Sequence, residues 1–255
     1  MRSVSKTYTT SKKGVVRAID SVSFDVKAGE FVSIVGHSGC GKTTLLRIIT
    51  GLTEPTTGSV TISGKAVALP MRGVGHVYQK PALMPWRSAI ENVLLPIELL
   101  HGDKESARKK ASALLASVGL KGFESLYPRE LSVGMQHRVS LARALIHDPQ
   151  ILVMDEPFGS LDELTREEMA TELLKITESL NKTVFFVTHS VSEAVMLGDR
   201  VLVLSPRPSK LVSDVAINVP RPRTEKVRTQ SSFIAYCEEI RSRLGSNLEG
   251  QRPVQ

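Results

Sequence analysis

Residues 36–43 read Gly-His-Ser-Gly-Cys-Gly-Lys-Thr, the spacing G-x-x-x-x-G-K-[ST]. Small residues at these positions permit a tight loop whose backbone N–H groups turn inward. Together with the helix that follows, they make a cradle for phosphate. Gly36, His37, Ser38, Gly39, Cys40 and Gly41 supply the loop, with Thr44 in the first helical turn. Lys42 is placed to reach a nucleotide's β and γ phosphates, and Thr43 to hold Mg²⁺. Cys40 lies near Lys42 and a helix start, so its thiol pKa is expected to be depressed and its alkylation to block the site.

Two further segments end in residues of matching chemistry. Ile-Leu-Val-Met (151–154) runs into Asp155-Glu156, and an apolar strand delivering adjacent carboxylates has few structural excuses. Asp155 suits the Mg²⁺ shell through water, and Glu156 suits orienting or deprotonating an attacking water. Thr-Val-Phe-Phe-Val-Thr (183–188) ends in His189. A lone histidine there is ordinarily loop material, but closing a third strand of this type it is expected to face the same phosphate. Gln79, at the end of Gly-His-Val-Tyr-Gln, is a candidate for the Mg²⁺ or water shell. A fourth stretch, Leu-Ser-Val-Gly-Met-Gln-His-Arg-Val-Ser-Leu-Ala-Arg-Ala-Leu (131–145), starts a helix. Ser132 can cap it, and Gly134 allows close approach to its first turn, where an anion is favoured.

The elements carrying these residues follow from hydrophobic pattern. Val22, Phe24 and Val26 alternate as on a half-buried strand, and Phe31–Val35 is a continuous apolar strand. From about 80 to 148 the texture is helical, with Ala107, Ala111, Leu114, Leu115 and Val118 at helical spacing. Met169, Leu173, Ile176 and Leu180 form another stripe, and Arg200–Leu204 is a last apolar strand. Apolar strands alternating with helices give an α/β fold, a parallel sheet wrapped by helices. An antiparallel sheet is expected near the N-terminus and a helical insertion at about 80–148. Arg221–Arg228 reads as an exposed linker, Ser231–Leu244 as a final helix and Ser246–Gln255 as a loose tail. The organisation expected is a main domain over 2–210 and an extension over 211–255.

The chain resembles the ATP-binding cassette family, the ATPase subunits of ABC transporters, over roughly residues 2–210. The resemblance rests on the phosphate loop at 36–43, Gln79 as the Q-loop, Leu-Ser-Val-Gly-Met-Gln as the signature and Ile151–Pro157. It rests also on Ser160-Leu161-Asp162 as the D-loop and His189 as the switch histidine. It implies a P-loop NTPase (RecA-like) core binding ATP and Mg²⁺, with Tyr8 stacked on adenine. It implies two cassettes paired head to tail, ATP lying between one phosphate loop and the other's Ser132 and Gly134, with Asp162 nearby. It implies membrane permease subunits and an extracytoplasmic solute-binding protein as partners, with the cassette peripheral at the cytoplasmic face of the membrane. The Met-Pro-Trp after the Q-loop and Glu156–Arg166 resemble importer ATPases for nitrate, sulfonate and taurine. Trp86, the only tryptophan, then faces the permease or belongs to the helical core. Val133 departs from the usual glycine of the signature, and is expected to reduce tolerance without abolishing the site.

The 255 residues carry a net charge of +7 with only 5% aromatics and two cysteines, and no run long enough to span a membrane. Basic charge alone would admit a cassette ATPase acting on nucleic acid. Against it, residues 42–130 leave space only for a compact helical insertion, and there is one phosphate loop; no nucleic-acid partner is expected. A nucleotide-binding module with weak or no hydrolysis is the other reading, motivated by Val133 and opposed by Lys42, Glu156 and His189.

Overall fold

In a computed structural model, the described residues are 1–10, 14–67, 71 and 73–249. In chain order the elements are β1 (Arg2–Thr10), β2 (Gly14–Val22), β3 (Phe31–Val35), α1 (Lys42–Ile49), β4 (Thr57–Ser59), β5 (Thr61–Ile62) and β6 (Lys65–Ala66). Then come β7 (Val74–Val77), α2 (Ala89–Leu99), α3 (Lys104–Ser117), α4 (Val133–Leu145), β8 (Ile151–Asp155) and α5 (Glu163–Leu180). The chain continues with β9 (Thr183–Thr188), α6 (Val191–Leu197), β10 (Arg200–Leu204), β11 (Leu211–Ala216) and α7 (Ser231–Glu249). They fall into two compact units, Met1–Arg72 with Phe185–Gln255, and Gly73–Val184.

The first unit is built on β3, whose five residues are all buried. β10 lies parallel beside it, Arg200 opposite Val32 through Val203 opposite Val35. The strands run in the order β11-β10-β3-β9, with β11 antiparallel on the edge. Phe31 and Phe186 meet at 5.9 Å between ring centres. A separate antiparallel sheet, β2-β1-β4, covers the N-terminal segment. Val22 and Phe24 are both buried as their alternation predicts, but the strand stops at Val22. Ser21 adopts a left-handed φ of 54°, the register between β1 and β2 shifts on both sides of Lys6, and the last pair in this direction is Val4 with Val22, so pairing does not carry on to Val26.

The segment after β11 is not the exposed linker that its charge suggests. Arg223 is 4% exposed. Its guanidinium donates to the carbonyls of Val219, Val195, Met196, Gly198 and Ile217 at 2.7–3.2 Å. Three of those carbonyls sit at the C-terminal end of α6, where unpaired oxygens and the helix dipole favour a cation. Arg221 pairs with Asp199 at 2.8 Å and donates to the carbonyl of Leu197. Charged residues here are the clasp that closes a helix end. The final helix is longer than expected: α7 continues through Ser246–Glu249, and the rest of the expected tail, Gly250–Gln255, lies outside the described residues.

In the second unit β7 and β8 are parallel, Val74 opposite Ile151 through Val77 opposite Met154. The helical insertion is α2, α3 and α4 packed on one another. Ser88 and Glu91 form a capping box at the start of α2. Asn92, fully buried, accepts from the Met84 N–H at 2.7 Å and donates to the carbonyls of Met84, Arg87 and Ser88. That fixes the Met-Pro-Trp loop and leaves Trp86 71% exposed, so it is not a core residue of this subdomain. The stripe on α5 is buried at Met169, Leu173 and Ile176; the side chain of Leu180 lies outside the described residues. No described helix is long and apolar enough to cross a membrane.

Candidate functional site

The phosphate loop leaves β3 at Val35 and enters α1 at Lys42. Gly39 and Gly41 have φ of +72° and +123°, a backbone region that side chains rarely adopt. At Gly36 a Cβ would fall 2.8 Å from Cys40 Sγ, so the loop closes on itself only with glycine there. Lys42 is buried to 5% exposure, and its Nζ donates to the carbonyls of Gly36 at 2.8 Å and His37 at 3.1 Å. The ammonium is thereby held across the loop mouth instead of extending into solvent. Thr43 is exposed and Thr44 half-buried on the first turn of α1.

The loop is also held from outside. Arg207, in the turn between β10 and β11, donates to the Gly39 carbonyl through Nη2 at 2.6 Å and Nε at 3.1 Å. His37 Nε2 lies 3.3 Å from the carbonyl of Leu244 on α7. Within the loop, the N–H of the same peptide as the Gly39 carbonyl, that of Cys40, donates to the His37 carbonyl at 3.2 Å, so the turn is fixed from inside as well. Ser38, between these two held residues, is exposed.

Cys40 differs from its expected chemistry. It is 1% exposed, and burial pushes the thiol pKa up, outweighing the opposing pull of Lys42. Desolvation of the thiolate beats proximity to a cation here because the sulfur points beneath the loop.

His189 follows β9 and is exposed. The turn beneath it is fixed: Thr188 Oγ1 donates to Glu193 Oε2 at 2.5 Å and accepts from the Ser190 N–H at 3.0 Å. Ser190 then caps α6. Tyr8, on β1, is half-buried with Lys6 Nζ 5.2 Å from its ring centre. In the first unit, then, the loop residues and His189 both occupy the C-terminal ends of neighbouring strands, where ligands of open α/β sheets bind.

The second unit holds the other expected residues. Asp155 ends β8, and Glu156 follows with a left-handed φ of 49°. Such strain in a non-glycine residue clusters at functional sites. The Glu156 carbonyl accepts from the Gly159 N–H at 3.1 Å, and the Phe158 carbonyl from the Leu161 N–H at 3.1 Å, a run of tight turns ending at Asp162. Gln79 lies against this run: a Cβ on Gly159 would meet its Nε2 at 3.3 Å. So the geometry brings Gln79 to the turn that starts at Glu156. Asp162 caps α5, its carboxylate accepting from the Thr165 N–H at 3.0 Å, which draws its pKa down.

Ser132 caps α4 as expected, accepting from the Met135 N–H at 3.2 Å. Val133 is the first helical residue and 51% exposed, so about half of its surface faces outward. Gly134 is buried against α5: a Cβ there would stand 3.0 Å from Thr165 Cγ2. The close approach that its size allows is therefore, within this chain, to a threonine methyl. Three participants were not foreseen: Arg207, the left-handed backbone of Glu156, and His137, whose Nε2 lies 3.0 Å from Ser160 Oγ. Backbone strain and side-chain pairing across 23 residues leave no periodic trace in a sequence.

The donors suit the groups expected. Thr43, Asp155 and Gln79 offer hard oxygens appropriate to Mg²⁺. The glycine cradle with its buried Lys42 fits a phosphate chain.

A family model described as ABC transporter matches residues 19–159. A taurine import ATP-binding protein of Rhizobium johnstonii is 44% identical over 91% of this chain and 90% of that protein. A nitrate import ATP-binding protein of Synechocystis is 41% identical, also over 91% and 90%. Among solved structures, a dimeric ATP-binding cassette in a post-hydrolysis state, bound to ADP and Pi, matches with a TM-score of 0.74 and 33% identity. That match covers 86% of this chain and 98% of the other. Sequence, fold and phosphate loop agree, and the chain belongs to the ATP-binding cassettes of ABC transporters.

Proposed function

We propose that this chain hydrolyses ATP to drive a separate membrane permease that imports a small solute, an anion such as nitrate, a sulfonate or taurine. The observation that carries the reading is the phosphate loop, with two left-handed glycines and a buried Lys42 held across its mouth. Relatives named for taurine and nitrate import, similar over nine-tenths of the chain, support the importer assignment. A solute-binding protein outside the membrane delivers the solute, and the cassette works at the cytoplasmic face. Two copies associate head to tail, each ATP lying between one copy's loop and the other's Ser132 and Gly134.

In this reading the loop amides and Lys42 bind the phosphates, and Tyr8 stacks on the base. Thr43, Asp155 and Gln79 would hold Mg²⁺, which when bound would supply positive charge to offset that of the nucleotide phosphates. Glu156 orients a water and accepts its proton as the water oxygen attacks the γ phosphorus. The bond from that phosphorus to the β–γ bridging oxygen breaks, and ADP and phosphate result. His189 donates to a γ-phosphate oxygen and steadies the developing charge. The left-handed backbone at Glu156, immediately past the end of the strand, is in keeping with this role. The test is ATP hydrolysis by the cassette assembled with its permease. Glu156→Gln should still bind ATP while turnover falls by about 10²–10⁴-fold. A Glu156→Gln chain that hydrolyses at the wild-type rate would remove the assignment.

A further inference from the structure

His137 sits one turn into α4, 2% exposed, and only one of its ring nitrogens is satisfied. Nε2 lies 3.0 Å from Ser160 Oγ, while Nδ1 is buried and has no hydrogen-bond partner among the described residues. An orphaned buried polar atom costs stability, and an apolar side chain would fill the same space more cheaply. What the imidazole gains is one directed contact, and that contact lands in an informative place. Ser160 lies within the tight turns that run from the strained Glu156 to the Asp162 cap. Ser160 itself is exposed, so water could satisfy its hydroxyl without help from His137.

Two more contacts join the same elements. Gly134 packs on Thr165 at the first turns of α4 and α5, and Arg138 pairs with Glu172 at 2.6 Å further along them. Those two fix the helices to each other. The His137–Ser160 contact is the one that reaches from α4 into the turn carrying Glu156 and Asp162, among the side-chain hydrogen bonds described above.

We propose that His137 is a positioning residue that locks the 156–162 turn to the helix bearing Ser132 and Gly134. Movement of that helix against a second copy is thereby transmitted to Glu156 in the same chain. The inference rests on the reading that Ser132 and Gly134 face a partner's nucleotide. Neutral imidazole as Nε2–H donor to Ser160 is the tautomer that suits the site, because it leaves a lone pair, not an N–H, on the unpartnered Nδ1.

The experiment uses the full chain, assembled with its permease for turnover, and four variants: His137→Leu, His137→Gln, Ser160→Ala and the His137→Leu/Ser160→Ala pair. ATP turnover, KM for ATP and melting temperature are measured for each. His137→Leu removes the orphaned nitrogen, so the variant should melt no lower than wild type. Its kcat should nonetheless fall about tenfold with KM little changed, and the double variant should be no worse than either single one. His137→Gln, which can place an amide donor near Ser160, should recover most of the rate. Wild-type turnover in His137→Leu, additive losses in the double variant, failure of His137→Gln to recover, or a rate loss that only follows a lower melting temperature would each overturn the proposal. A wild-type chain that does not hydrolyse ATP would sink the parent reading and this inference together. Hydrolysis by wild type, abolished by Glu156→Gln but untouched by His137→Leu, would sink this inference alone.

Discussion

Gly134→Ala is a perturbation whose sign depends on one distance. The Gly134 backbone is helical, so alanine is conformationally allowed and raises helix propensity by about 0.5–1 kcal/mol. The new methyl, however, would stand 3.0 Å from Thr165 Cγ2, well inside normal contact. Overpacking of this kind costs about 1–3 kcal/mol, because both residues are fixed by helix starts and Thr165 donates its N–H to Asp162. The collision outweighs the propensity gain, and a net loss of about 1 kcal/mol is expected. Thr165→Ser deletes the opposing methyl at a cost of about 0.5 kcal/mol. The double variant should then return to within about 0.5 kcal/mol of wild type, a favourable coupling of about 1–2 kcal/mol. Urea denaturation of the four proteins measures it. Coupling near zero would show that the two side chains do not meet and that the helix starts are not packed as described. Turnover gives a second answer: the double variant should remain slow, because the first turn of α4, assigned to the partner's phosphates, no longer has the glycine backbone that admits close approach. Full recovery of turnover would make Gly134 a packing residue only.

Other outcomes follow from the same geometry. Arg223→Met keeps the apolar stem but strips the α6 end of its donors; a loss of about 3 kcal/mol, or about 6–12 °C in melting temperature, is expected. A change under about 0.5 kcal/mol would mean the clasp does not stabilise the fold. Burial raises the thiol pKa of both Cys40 and Cys237, so iodoacetamide at neutral pH should label neither in the native chain and both in urea; rapid native labelling of Cys40 would contradict this. Burial also lowers the pKa of His76, His137 and His147 below their ordinary 6.5. The unfolded chain takes up these protons before the folded one does, so their contribution to stability is present above that value and lost as pH falls through it. The urea midpoint should be lower at pH 5.5 than at pH 7.5, and an unchanged or higher midpoint in acid would count against buried neutral imidazoles.

The legible part of this protein was where local chemistry and local pattern coincide. A buried strand feeding Gly-x-x-x-x-Gly-Lys-Thr leaves little choice of backbone, and the structure has the loop where the spacing puts it. The same holds for Ser132 as a helix cap and for the helical insertion. Illegible were features decided by tertiary neighbours. Arg223 carries the same charge as a solvated arginine, and only the open end of α6 makes it a buried one. Cys40 has a cation close by in sequence, but the direction of its side chain, beneath the loop, decides its pKa. His137 and Ser160 are individually unremarkable, and their meeting depends on how α4 and the 156–162 turn pack. Val133, a departure from the usual glycine of the signature, takes the first helical position with about half of its surface exposed.

The central claim is that each ATP is shared between two copies of this chain. Sedimentation of Glu156→Gln with and without ATP tests it directly, since blocked hydrolysis should trap the closed state. The account predicts a monomer alone, a dimer with ATP, and a monomer under both conditions when Ser132→Asp, which keeps the helix cap at an exposed position, is added to repel phosphate. A chain that stays monomeric with ATP, or a dimer indifferent to ATP and to Ser132→Asp, would contradict it.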